Sequence, residues 1–292
     1  MSQFIVVGEG KVEVAASAKI APTAQIIFHA PGTVTIGDYC VIGPGVKFIC
    51  AGGDVTLGDW STLHENCLVL SGQGAQIGAH CWFGQNSIID GTGGITIGRG
   101  VRVGMYSQLW SHVAAGEQIE GCTLYGERPV VIEDNVWLVG SCIVASGVTI
   151  GARTVALIGS NITKSCGANM VIAGSPATHK PNLSFYQDIT LDEKWTLLLG
   201  WLDEVAADQH LHYERDDAAG IATLQDAGAA AADSIVFVRE SATAATQRLA
   251  HPHSTVCCVE DKTYTKTRSG LEYKVLKALA GNKARFDAMP AA

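Results

Sequence analysis

Charge is scarce in this 292-residue chain: Asp, Glu, Lys and Arg make up 16% of it, and 28 acidic residues against 20 basic ones give a formal charge of -8. The basic residues are dispersed, with no Lys/Arg cluster, so the electrostatic footprint of a nucleic-acid binder is missing. A small molecule or a sugar suits this surface better as a partner. A basic leader is missing as well. Met1-Ser-Gln-Phe-Ile-Val-Val-Gly-Glu9 has no positive n-region and only a short apolar run, so the sequence predicts neither a secretory signal nor a membrane span, and a cytoplasmic location. The nine cysteines form no CxxC pair and no Cys/His metal spacing, and their odd number in a large chain does not suggest a disulfide framework. Reduced thiols and no metal are expected.

Apolar residues are plentiful, at 47%, which is enough for a sizeable core. They are also strictly spaced. Aliphatic or aromatic residues recur every six positions: Val14, Ile20, Ile26; Ile36, Ile42, Phe48; Leu57, Leu63, Val69; Ile77, Phe83, Ile89; Ile97, Val103, Leu109. After a break the count resumes at Ile132, Leu138, Val144, Ile150, Ala156 and Ile162. Leu57, Ile77 and Ile97 lie twenty apart, so three hexads and a two-residue corner make one coil. Glycine often follows the leading aliphatic, as at Gly37, Gly58, Gly78, Gly84 and Gly104, where a tight corner is expected. Four places after the leader the residue is small, and Cys40, Cys67, Cys81, Cys142 and Cys166 all fill that slot. They are expected to be small core residues without chemistry of their own. A coil buries its stacking faces only against its neighbours, so many coils must stack.

The repeat ends near Gly174-Ser175-Pro176-Ala177. Residues 179–190 read as a linker. Thr190-Leu-Asp-Glu193 is a capping box, and Leu191, Trp195, Leu198, Leu199, Leu202 and Val205 follow at helical spacing. Strand-like runs at Ser234–Val238 and Thr255–Val259 and a last helix near Leu271–Leu279 complete a small α/β domain over 191–292. His251, His253 and the pair Cys257-Cys258 could suggest a metal, but adjacent residues of a strand point to opposite faces.

The Ile-Gly-x-x-x-Val hexads resemble the hexapeptide-repeat proteins. The resemblance implies a mainly β chain: a left-handed parallel β-helix of about seven coils over 1–178, with one protruding loop at 110–131, ahead of the C-terminal domain. The pieces Gly126-Glu-Arg-Pro-Val-Val-Ile-Glu-Asp-Asn-Val-Trp-Leu-Val-Gly140, Thr163-Lys164 and Val171-Ile-Ala-Gly-Ser-Pro-Ala177 are similar, in order and spacing, to the bacterial sugar O-acetyltransferase branch. That similarity implies a homotrimer using acetyl-CoA as co-substrate, with an acceptor hydroxyl on a sugar or polysaccharide precursor.

It also implies roles. His112, at the start of the loop, is the general base, since an imidazole can take a hydroxyl proton near neutral pH as the oxygen attacks a thioester. The backbone N–H of Gly140 is the oxyanion donor, although Trp137-Leu-Val stands here where the family has Trp-Ile-Gly. Asn86, Asp90, Trp110 and Trp137 would bind acceptor or acyl group, Asp90 alternatively orienting the imidazole. Ser160, Thr163, Lys164 and Lys180 would hold coenzyme A, whose phosphates require donors and positive charge. Two alternatives stay open: N-acylation of an amino sugar or nucleotide sugar, and a catalytically silent scaffold. A zinc reading of His64 and His80, as in the γ-class carbonic anhydrases, lacks the His-x-x-x-x-His element.

Overall fold

A computed structural model describes residues 4–226 and 234–289. The chain divides into two compact units, Met1–Gln187 and Asp188–Ala292.

The first unit is three long sheets, visited in turn by each coil. The first sheet runs from Ile5–Val7 through Gln25–Ala30, Lys47–Ala51, Leu68–Ser71, Ile88–Gly91, Gln108–Leu109 and Ile143–Val144 to Asn161–Ile162. The second starts at Lys11–Val14 and ends at Thr149–Ile150, and the third starts at Lys19–Ile20 and ends in an antiparallel hairpin of Val171–Gly174 and Ala177–His179. All other pairings in these three sheets are parallel, as in Leu68↔Ile88 and Gln76↔Thr96, which are twenty residues apart. This fits the left-handed parallel β-helix expected from the resemblance. Eight strands in the first sheet set the length, against about seven coils expected, because Ile5–Val7 opens a coil ahead of the first hexad.

From Ile26 onward the hexad leaders fill the interior: Ile36, Ile42, Phe48, Leu57, Leu63, Phe83, Val103, Leu109, Ile132 and Val144 are all at most 1% exposed. Each contributes about 1.5–3 kcal/mol of apolar burial. Val14, in the opening coils, is exposed.

The small slot proves to be a hydrogen-bonding position as well as a narrow one. Cys40 Sγ donates to the Gly58 carbonyl at 3.1 Å, Ser61 Oγ to Gly78 at 2.9 Å, Cys67 Sγ to Gly84 at 3.2 Å and Cys81 Sγ to Gly98 at 3.1 Å. Cysteine and serine are therefore equivalent here, each tying a coil to the next. All nine cysteines are free thiols. Burial pushes Cys40 up to about 12 and Cys67 to about 11, so neither supplies a thiolate.

The glycines after the leaders serve a purpose other than the one expected. Their φ angles are ordinary; the left-handed conformation at the corners falls instead on Tyr39, Trp60, His80, Asn66, Asn86 and Tyr106. What the glycines avoid is the neighbouring coil: a Cβ at Gly104 would lie 2.0 Å from the Val139 carbonyl oxygen, one at Gly84 2.5 Å from Met105 N, and one at Gly58 2.6 Å from Ala79 N.

The second unit is a six-stranded mixed sheet, built from Leu211–Asp216, Ile221–Asp226, Ser234–Val238, Thr255–Cys258, Thr263–Tyr264 and Asp287–Ala288, with helices α1 (Leu191–Gln209), α2 (Ser241–Ala250) and α3 (Gly270–Leu279). α1 begins at the expected capping box, Thr190 and Glu193 each receiving the other's backbone N–H, and buries Trp195, Leu198, Leu202 and Val205. Cys257 and Cys258 are both buried in their strand.

Replacing Gly104 by Ala should lower the stability of the repeat unit by about 1–3 kcal/mol. Gly167→Ala, whose Cβ would meet nothing closer than Met170 Cε at 3.6 Å, should cost far less. Thermal unfolding followed by circular dichroism checks the pair; equal costs would show that coil stacking is not what the glycines serve.

Candidate active site

The corner between the first and second sheets is short in most coils: Gly72-Gln73-Gly74, Thr92-Gly93-Gly94 and Ala145-Ser146-Gly147-Val148 each cross it. After Gln108–Leu109 the chain instead leaves the scaffold as an antiparallel hairpin, His112–Ala114 with Tyr125–Glu127, and rejoins the second sheet at Val130. Trp110, Ala145 and Thr163 stack on successive coils of this corner through Trp110 N–H to Val144 O and Ala145 N–H to Ile162 O.

His112 stands at the base of the hairpin, with its ring held from below. Asp90 lies near the end of the first-sheet strand one coil earlier and is fully buried, whereas the His112 side chain is 37% exposed. Asp90 Oδ2 lies 2.7 Å from His112 Nδ1. The same oxygen accepts from Ser111 N at 2.8 Å, Ser111 Oγ at 3.1 Å and His112 N at 3.2 Å, while Oδ1 accepts from Thr92 N at 3.0 Å and Thr92 Oγ1 at 2.5 Å.

Burial pushes the Asp90 carboxyl upward, but hydrogen bonds from Thr92, His112 and Ser111 outweigh it and hold the group below its ordinary 3.8. An ionised carboxylate can only accept, so Nδ1 carries a proton and, in the neutral imidazole, the lone pair lies on Nε2. The edge of Trp110 closes one side of the imidazole, at 5.9 Å between ring centroids and 79° between planes, and its indole N–H donates to Gln108 Oε1 at 3.1 Å. A fixed imidazole with one open nitrogen is equipped for general base and acid work.

A protein from Escherichia coli (strain K12) assigned as the colanic acid biosynthesis acetyltransferase WcaF is 35% identical over 142 residues, which is 49% of this chain and 65% of that protein. The galactoside O-acetyltransferase of Lactococcus lactis subsp. lactis (strain IL1403) is 28% identical over 149 residues, 51% of this chain and 63% of the relative. Half of this chain is similar to bacterial acetyltransferases. The chain spans under two thirds of the length of these relatives. The resemblance to bacterial sugar O-acetyltransferases read from residues 126–140, Thr163-Lys164 and residues 171–177 is thereby borne out. No family model matches. Among solved structures, a hexapeptide transferase family protein from Anaplasma phagocytophilum is 18% identical, with 64% of this chain and 86% of that one covered and a TM-score of 0.44.

On the acetyltransferase reading, the expected site residues fall into separate groups. Asp90, Trp110, His112, Thr163 and Lys164 share the corner between the first and second sheets, with the exposed Thr163 and Lys164 two coils beyond His112. Asn86 and Gly140 occupy the corner between the third and first sheets, at the opposite edge of the first sheet, and Trp137 lies on the third sheet facing outward, 44% exposed. Asn86 is exposed in a left-handed conformation with φ 58°. Gly140 has φ 156° and is buried.

Two expectations need correction. Ser160 faces inward in the small slot, fully buried, and its hydroxyl donates to the Leu157 carbonyl at 2.5 Å, so it offers nothing to coenzyme A. Asp90, equally buried, faces His112 and not an acceptor, so of its two expected roles only the orienting one is open to it. Lys180 lies past the last strand of the third sheet with Nζ 3.0 Å from Thr178 Oγ1, away from the corner that holds Lys164. The sequence reading missed Ser111 and Thr92, which fasten Asp90; the signal available was the twenty-residue period, which sets Asp90 beside Trp110. Among the described residues no three His, Cys, Asp or Glu side chains come together as metal ligands, and no helix is long and apolar enough to cross a membrane.

Because the Asp90 carboxyl is held below 3.8 in the fold, the stability it contributes is present above that pH and lost as the pH falls through the lowered value. Asp90→Asn should therefore lower the melting temperature at pH 7 by roughly 3 to 10 °C. The gap to the unmodified protein should narrow below about pH 4. A gap that stays constant down to pH 2.5 would mean that Asp90 is not ionised in the fold.

Proposed function

We propose that this protein transfers an acetyl group from acetyl-CoA to a hydroxyl of a sugar or polysaccharide precursor, with His112 as general base. The observation that carries this reading is the His112–Asp90 pair: a buried carboxylate 2.7 Å from Nδ1, with the imidazole half open at the root of a hairpin thrown out of a rigid scaffold. The similarity to named acetyltransferases supports the choice of donor and reaction.

In this mechanism the acceptor hydroxyl gives its proton to Nε2 as its oxygen attacks the thioester carbonyl carbon. The positive imidazolium that forms is stabilised by the Asp90 carboxylate, which stays ionised. The tetrahedral intermediate collapses with cleavage of the C–S bond, and Nε2–H returns the proton to the leaving sulfur, giving free coenzyme A and the acetyl ester. No covalent enzyme intermediate is needed. Lys164, on the His112 corner, supplies positive charge for the phosphates of coenzyme A, with Thr163 beside it.

The groups on the far edge of the first sheet, Asn86, Trp137 and the Gly140 N–H, cannot serve the same chain's His112 across the width of that sheet. A cyclic homotrimer, as the family resemblance implies, would bring them from a second copy to each His112. In that arrangement the backbone donor stabilises the oxyanion. We place the protein in the cytoplasm, where acetyl-CoA is available, and assign the second unit a supporting role in acceptor recognition or assembly.

His112→Ala should leave the melting temperature close to that of the unmodified protein while lowering acceptor-dependent release of coenzyme A from acetyl-CoA by about a hundred- to ten-thousand-fold. Thiol release across a panel of sugars and nucleotide sugars measures this. Equal turnover by both proteins would sink the base assignment, and no turnover together with no coenzyme A binding by calorimetry would favour a silent scaffold.

A further inference from the structure

The hairpin carries a second carboxylate to the site. His112 and Glu127 are directly opposed across the two strands. Opposed residues of an antiparallel pair share one face, with Cβ atoms about 4.5–5.5 Å apart. Asp90 is sealed beneath the ring, but Glu127 is exposed beside it.

Glu127 is also fixed in place. Gln73 Nε2, from the corner two coils earlier, donates to Glu127 Oε2 at 2.6 Å. Between them lies Gly93-Gly94, and the absence of side chains there is what lets the hairpin base come down. A Cβ at Gly93 would sit 2.4 Å from Ser111 O, 2.8 Å from Arg128 N and 3.0 Å from Glu127 Cβ, and one at Gly94 3.8 Å from Pro129 Cβ and 4.0 Å from Gln73 Cβ. Arg128, which could otherwise neutralise Glu127, runs the other way along Gly147, and its N–H donates to Ser111 O at 2.8 Å. Over residues 112–129 three glutamates, Glu117, Glu120 and Glu127, face one arginine. Negative charge beside the imidazole disfavours an anionic group on the acceptor at that place, whereas the phosphates of coenzyme A lie toward Lys164, two coils away.

Resting on the acetyl-transfer reading above, we propose that Glu127, braced by Gln73, selects the acceptor. It accepts a hydrogen bond from the hydroxyl adjacent to the one His112 deprotonates, and it discriminates against acceptors with a carboxylate or phosphate near that position. The substrate class is a neutral polyol with neighbouring hydroxyls. Gln73 spends one amide N–H on Glu127 Oε2, which leaves Oε1 available to the acceptor. A carboxylate bound to a ligand hydroxyl is among the stronger polar contacts, and removing its charge is felt in acceptor binding.

The test is steady-state transfer from acetyl-CoA to three matched acceptors: a neutral methyl hexoside, its uronate, and the analogue lacking the adjacent hydroxyl. The protein should prefer the neutral acceptor. Glu127→Gln should raise the neutral acceptor's KM by roughly tenfold to a hundredfold and shrink the preference over the uronate, with coenzyme A affinity by calorimetry unchanged within about twofold. The deoxy analogue should lose as much as the substitution does, and the two losses should not add. Gln73→Leu, which frees Glu127 without removing it, should give a smaller rise. Transfer that treats neutral and acidic acceptors alike, or a KM that Glu127→Gln leaves unmoved, overturns the inference while acetyl transfer itself stands. Absence of transfer to every acceptor overturns the acetyl-transfer reading and this inference together.

Discussion

Adjacent strands of a sheet sit about 4.8 Å apart, and in this chain that spacing is imposed on whole coils of backbone. Everything else in the repeat unit answers to it. Where two coils come closest there is no room for a Cβ, as the Gly104 and Val139 contact illustrates. The small slots four positions after the leaders face the carbonyls of those same glycines, so a serine or cysteine placed there fastens the close approach that the glycine permits. The interior is left to Ile, Leu, Val and Phe, apolar stacked upon apolar, as Phe48 on Val69 and Leu63 on Phe83. A residue's position within the coil therefore decides its identity more strongly than its neighbours in sequence do.

The candidate site uses the same stacking for a chemical purpose. Asp90 is a residue of the ladder: its backbone pairs with Leu70 below. It can hold His112 because the coil above passes directly over it. Six hydrogen bonds converge on its two oxygens, which is how a fully buried carboxylate stays charged without a lysine or arginine beside it. Rigidity in the ladder becomes rigidity in the imidazole, while the hairpin above it is free to be almost wholly exposed.

Most of the repeat unit was legible because periodicity reports burial: the six-residue spacing assigns Leu57, Leu63 and Val69 to three faces, and all three are buried. Trp195, Leu198 and Leu202 announced α1 for a similar reason. His112 was legible from its place at a break in the count and from family resemblance. The function of the glycines was not, because a corner requiring positive φ and a close approach both select glycine, and only the fold separates them. Ser160 shows the converse error: a hydroxyl near Thr163-Lys164 looked like a ligand contact, yet its six-residue phase already placed it inside. The pairing of Gln73 with Glu127 lies beyond periodicity altogether, since it depends on how a hairpin folds back across two coils. In the second unit Ser234–Val238 and the run beginning at Thr255 were legible as strands, whereas Leu211–Asp216, Ile221–Asp226, Thr263–Tyr264 and Asp287–Ala288 were not, and nothing in their sequences ordered them into a sheet.

Across the hairpin the ladder does not slip. Ile95 to Ile97 pair with Val130 to Ile132 as regularly as Ala75 to Ile77 pair with Ile95 to Ile97, although the first step spans far more chain than the second. The scaffold is thus indifferent to what is inserted at that corner, provided the chain returns in phase. Residues 115–124 lie outside that ladder, so their length and chemistry can change with little effect on folding, while Asp90 and the coils beneath remain under the unchanging demands of the stack. The tip of the hairpin and the ladder beneath it are separate stretches of the same chain, so the tip can change without disturbing the stack.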